Sequence, residues 1–301
     1  MLCHLRLFAT AFPCLFFATS LAVAGEWPKD YVVQENSESP NGRYGVLVLS
    51  HDAAVENDSE ESDVYLADVK AHTALGTIDK VDYFEHQNHR DLEVFWAPDS
   101  NYCVVESDGR YGMDRVVVLD IKDSKFVQTE IDEPIQKSLD GAMKKESHDS
   151  EMAGDVSVNF RLGDDRKIKV RATSQNNPKQ FDDVKTYYAL FQGTYDLAAK
   201  KWTVTDVRSI TSEQDDALTA GYQPPDFKNI TYATDEDRAR SLDEQMNSVY
   251  KAAKFVLPPA RFAKVKQEQT EWLKRRDATP AVKAQCELIE KRIRDLQDVL
   301  W

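Results

Sequence analysis

Internal repetition is the feature that most constrains this 301-residue chain. "VYLADVKAHTALGT" (64–77) aligns with "VVVLDIKDSKFVQT" (116–129) at a constant offset of 52, which places Asp68 on Asp120 and Thr77 on Thr129. A turn and a strand precede each copy, "SPNGRYGVLV" (39–48) and "APDSNYCVVE" (97–106). In a third copy, "GTYDLAAKKWTVTD" (193–206), Asp196, Trp202 and Thr205 answer Asp120, Phe126 and Thr129, with "RLGDDRKIKVRAT" (161–173) as its leading part. Each unit reads turn, strand, strand, Asp-apolar turn, strand. The runs 43–50, 63–70, 92–98, 102–107 and 114–122 are short and rich in β-branched and aromatic residues. Turn clusters such as "SPNG", "PDSN" and "SDGRYG" separate them, so strands are predicted throughout.

The opening "(S/A)-P-(D/N)-G/S-x-Y" and the closing "V-x-x-x-D-(I/V/L)" resemble blades of bacterial WD40-like β-propellers over residues 39–207. Three copies are fewer than the four to eight blades that close a ring. An open meander is therefore expected, propeller-like or sandwich-like, rather than a closed ring. By analogy, repetition of this kind favours a binding surface over an active site.

The first 24 residues carry Arg6, an apolar run and the small-x-small pattern Ala22-Val23-Ala24, which predicts an export signal cleaved after Ala24. Removal leaves 277 residues, enough for two modest domains, and places the protein in the periplasm or outside the cell. No later segment is long and apolar enough to span a bilayer. Only Cys103 and Cys286 remain, too few for a disulfide scaffold; they could pair across domains or stay as two buried thiols. Residues 25–234 hold 23 basic and 40 acidic side chains, a net of −17, whereas 235–301 carry +2. Such a front repels nucleic acid and attracts a cationic partner.

The β half carries fragments of catalytic and metal signatures but no complete one. His86 and His89 in "EHQNHRDLE" have a metal-like spacing but no third ligand, and the acidic run "ENDSEESD" (56–63) lacks a calcium-loop pattern. Both read as solvated loops, the second with a cation-attracting rim as its alternative. "SDGRYGMD" (107–114) reads as a glycine-containing hairpin loop. There is no phosphate loop, nucleophile elbow or cysteine-nucleophile motif. No enzyme activity, cofactor or metal is expected. Segment 133–156 reads as a short helix or loop between repeats, and 223–237, with its Pro pair, as a linker.

After Thr234-Asp235, a plausible N-cap pair, the spacing changes to three and four: Leu242, Met246, Val249, Tyr250, Ala253 and Leu257 share one helix face. Pro258-Pro259 ends that helix and starts a second, with Phe262, Val265, Gln269, Trp272 and Arg276 in line. Thr279-Pro280 predicts a capping hydroxyl ahead of a third helix, whose face is Val282, Cys286, Ile289, Ile293, Leu296 and Leu300. Three amphipathic helices with brief connections should pack antiparallel. Arg276, one turn beyond Trp272, is placed to stack on its indole. Gln269, on the same seam, either fixes helix register or contacts a ligand.

"SLDEQMNSVYKAA", "LPPARFAKVKQEQTEWLKRRDA" and "CELIEKRIRDLQ" resemble the lysozyme-inhibitor LprI-type N-terminal domain over residues 238–298. The matching positions are Leu242, Asn247, Tyr250, Gln269, Trp272, Arg276, Asp277, Cys286, Arg292 and Leu296. The resemblance implies a small helical module of bacterial envelope proteins. It also implies a protein partner, such as a basic lysozyme. The family's cysteines ahead of the first helix and after the Arg-Asp pair have no counterpart here, since those stretches read "YATDED" and "DATPAVK". Cys286 therefore lacks its expected disulfide partner, and helix packing must hold the module.

The expected architecture is α+β with two domains: signal 1–24, an all-β repeat over 25–222, a linker 223–237 and an antiparallel three-helix bundle over 238–301. The expected function is an exported envelope binding protein of the lysozyme-inhibitor kind. The alternative is a non-inhibitory periplasmic scaffold that binds through the β repeat.

Overall fold

The structure is a computed structural model that describes residues 25–59, 61–147, 154–177, 185–222, 227 and 230–301. The predicted signal segment lies outside them. The strands form three successive antiparallel meanders of four. The first comprises β2 (Tyr31–Val33), β3 (Tyr44–Leu49), β4 (Asp63–Asp68) and β5 (Thr73–Asp82), with β1 (Gly25–Glu26) added to the edge of β5. The second comprises β6 (Asp91–Trp96), β7 (Tyr102–Gly109), β8 (Gly112–Lys122) and β9 (Lys125–Glu130). The third comprises β10 (Asp155–Leu162), β11 (Lys167–Gln175), β12 (Tyr188–Asp196) and β13 (Lys201–Ile210).

The sequence repeat recurs as repeated geometry. The turns entering the second strand of each meander place Gly42, Ser100 and Arg166 at φ of 62°, 60° and 57°. Their amides donate to the carbonyls of Ser39, Ala97 and Gly163 at 2.7, 2.9 and 3.3 Å. At the far end, Asp68 and Asp196 each accept an amide three residues on, from Ala71 at 3.0 Å and Ala199 at 2.8 Å. These Asx turns account for the Asp of the first and third copies, whereas Asp120 in the second accepts from Arg166 Nη2 at 2.5 Å.

Alternation along the strands buries both faces of the middle meander. Val46, Leu66, Ile78, Val105 and Leu119 share the core between the first two meanders. Val104, Val118, Phe160, Val170 and Phe191 share the next core, between the second and third. That core is completed by α2 (Asp132–Ser147), through Ile135, Leu139, Ala142 and Met143. One parallel bridge, Gly112–Val156, joins these two meanders into an eight-stranded sheet. Gly112, at φ 84°, is required there, because a Cβ would lie 2.3 Å from the Val156 carbonyl oxygen.

The stack stays open, as expected for three copies. The outer face of the third meander is covered not by the first but by helices: α3 (Ser212–Tyr222), α4 (Asp235–Val256), α5 (Pro259–Asp277) and α6 (Val282–Leu300). Leu190 and Ile210 of the sheet share one core with Leu218, Tyr222, Val249, Trp272 and Leu296. Two helices go beyond the sequence expectations, α3 and the short α1 (His51–Glu56). The buried face of α3 has only two large apolar residues, Leu218 and Tyr222, beside Ala217 and Gly221, so it carries little hydrophobic signal. Gly221 lets α3 and α4 meet closely, since a Cβ there would lie 2.6 Å from that of Ala252.

Candidate functional site

The helical end carries the sequence-predicted residues. Thr234 caps α4, its hydroxyl accepting from the Asp237 amide at 3.1 Å. Pro259 opens α5 directly after α4 ends. The expected cap at Thr279 does not form. Its hydroxyl instead donates to the Arg275 carbonyl at 2.9 Å, and α6 begins at Val282 without a side-chain cap. Thr279 is drawn back onto the last turn of α5, too far upstream to serve α6.

Leu242, Trp272, Cys286 and Leu296 are buried in the helical core. The Cys286 thiol lies 3.6 Å from the Asp235 carbonyl oxygen, and both it and Cys103 are free and buried. Gln269 is buried on the α5 seam with both ends of its amide engaged. Its Nε2 donates to Met246 Sδ at 3.4 Å, and its Oε1 accepts from Arg292 Nε at 2.8 Å. The seam thus ties α4, α5 and α6 together through one polar side chain. Tyr250 is half-buried and packs on Phe262 at 5.5 Å between centroids. Burial raises its pKa, and the nearby Arg292 charge opposes that rise.

Arg276 sits 5.4 Å from the centroid of the Trp272 ring. Its Nη1 donates to Asp243 at 2.8 and 3.1 Å, and its Nη2 lies 2.8 Å from Asp277. Asp277 is exposed, as is Asn247, so these two lie apart from the buried seam. Arg238 of α4 and Glu290 of α6 form a further ion pair.

Beside the seam, α5 and Arg292 line a groove of about 720 Å³. Arg292 is 7 % exposed, and burial lowers its pKa. Its Nη1 stands 3.9 Å from Glu268, and its Nη2 is buried without a partner among the described residues. The groove residues of α5 escape sequence reasoning because they lie off the apolar seam, where charged side chains read as an ordinary solvated face.

The β half concentrates acid. Asp91 faces Asp108 and Glu93 faces Glu106 across β6 and β7. Like charges directly opposed destabilise a sheet. Glu106 is only 4 % exposed, and its carboxyl is held well above the usual range, first by burial and then by Asp108, Glu93 and Asp91. Burial, with Glu93 and Asp91 next, pushes Asp108 up to about 6. Asp215, beside Asp155 and Asp216 in a recess at α3, is likewise pushed up by burial to about 6. His86 and His89 fall in the loop between β5 and β6, both at positive φ. No group of metal-ligating side chains forms among the described residues.

Residues 231–296 match the family described as lysozyme inhibitor LprI. The match covers the helical end and includes every predicted residue from Leu242 to Leu296. It lies outside the 39–207 repeat, whose likeness to WD40-like blades gains no support from it. Neither the curated proteins nor the solved structures give a match. Among the described residues, no helix is long and apolar enough to cross a membrane.

Proposed function

We propose that this protein is an exported envelope binding protein that inhibits a basic lysozyme. The family match over 231–296 carries the reading. The charge distribution supports it, because lysozymes of the animal type are strongly basic and residues 25–234 carry a net charge of −17. Complementary charge raises the association rate, and salt weakens the attraction. The polar seam from Met246 through Gln269 to Arg292 holds the helices in one arrangement without the family's disulfide.

The test is lysozyme turnover with the chain from Gly25 onward, the expected mature form, at low and at physiological ionic strength. Inhibition at low salt that weakens about tenfold or more on adding salt is expected. Unchanged lysozyme activity at low salt overturns the proposal.

A non-inhibitory scaffold is the second reading, and one observation favours it. Among the described residues, the outer face of the first meander carries a small apolar cluster in which Trp27, Tyr31 and Tyr65 are half-buried. Tyr31→Ser and Tyr65→Ser in the full chain would abolish capture of an envelope partner under this reading. Under the first reading the same two changes would leave lysozyme inhibition intact.

A further inference from the structure

We infer that the groove between α5 and Arg292 is a binding site for a carboxylate carried on a peptide. Four cations and two carboxylates line it: Lys264, Lys274, Arg275 and Arg292 against Glu268 and Glu271. Lys274 is paired with Glu271 at 2.9 Å, and Lys264 lies 3.9 Å from Glu268. Two guanidinium groups remain. Arg275 forms no ion pair among the described residues, and Arg292 has only its Nε fully engaged, by Gln269.

Nη2 is closed off from the groove, so the end of the guanidinium that a ligand can reach is Nη1, which makes no hydrogen bond among the described residues. Glu268 does not close the gap: its oxygen is 3.9 Å from Nη1, beyond hydrogen-bonding range, and it is shared with Lys264. A water could accept one N–H but would not offset the surplus charge of Arg275 and Arg292. A carboxylate does both, with one oxygen accepting from Arg292 Nη1 and the other facing the guanidinium of Arg275. The lining runs from Lys264 to Ala278, roughly 20 Å of helix, a length that about six extended residues span. The inference stands on the groove alone and survives if lysozyme is not the partner.

The experiment titrates the full chain with three acetylated alanine–serine hexapeptides, read by calorimetry. One ends in a free carboxylate, one is amidated with an internal Asp, and one is amidated and neutral. Saturable binding of at least one carboxylate peptide is expected, at least about tenfold tighter than the neutral one. Whichever acidic peptide binds better identifies a chain terminus or a side chain as the source. Arg275→Gln, an exposed change that leaves the core untouched, and Arg292→Lys should each weaken that binding severalfold. Equal affinity for all three peptides, no saturation with either acidic peptide, or unchanged affinity in both variants overturns the inference.

Discussion

The two ends of the molecule treat buried charge in opposite ways. In the helical end, Arg276 meets Asp243, Arg238 meets Glu290, and Arg292 meets the neutral Gln269. In the β stack, Glu106 is as buried as Arg292, yet the charged neighbours that act on it are all acidic. The helices use polar groups to fix which side chain meets which. The β stack instead holds carboxylates whose protonated form is favoured by burial and by acidic neighbours. The helical end is therefore specified by partners, and the β6–β7 pair is conditioned by pH.

Truncation on the helical side should show the largest effect. Gln269→Ala removes the acceptor for Arg292 Nε inside the core and should destabilise the protein by about 1–3 kcal/mol. Urea unfolding followed by circular dichroism would measure it, and a neutral result would remove the helical half of the contrast.

The matching change in the β half should have the opposite sign. Glu106 and Asp108 have raised values in the folded state, so their contribution is fully present below the ordinary carboxylate range and is lost as pH rises through the folded values. The groups acting on them are Glu93 and Asp91 on β6, Asp114 on β8 and Asp155 on β10. Stability of the wild type should fall between pH 5 and pH 8, with Asp108 contributing on the order of 1–2 kcal/mol after allowance for its partial exposure. Glu106→Gln should raise the melting temperature at pH 8 and flatten that slope. A steeper slope in the variant would contradict the assignment.

The smallest effect is expected from Arg276→Lys, which keeps the charge facing Asp243 but loses the planar contact with Trp272. A loss of about 0.5–1 kcal/mol is expected, measurable as a shift in the urea midpoint.

The sequence exposed those parts of the molecule in which one residue type serves one geometric need. Asp68 and Asp196 stand out because each caps its own turn, and Gly109 and Gly112 flank the two-residue hairpin loop between β7 and β8. The long helices were legible because Val265, Gln269 and Trp272 repeat at helical spacing. What stayed hidden depends on tertiary neighbours. The apolar residues of α2, Ile135, Leu139, Ala142 and Met143, have a helical spacing, but the lysines and acids between them conceal how deeply that face is buried. Alternation puts Glu106 on the same strand face as Tyr102 and Val104, and only the cross-strand register, with Glu93 opposite it, shows how acidic that buried site is. The bare Nη2 of Arg292 arises from three helices at once, so no local pattern announces it.

The helices also set the length of the array. They occupy the surface on which a fourth meander would dock, through contacts as specific as Gln192 with Tyr222 at 2.7 Å and Arg161 with Asp298 at 2.6 Å. A gene duplication could not simply append another unit on that side. Growth of the repeat would have to insert between existing copies or start from the Trp27 side, where the covering is thin.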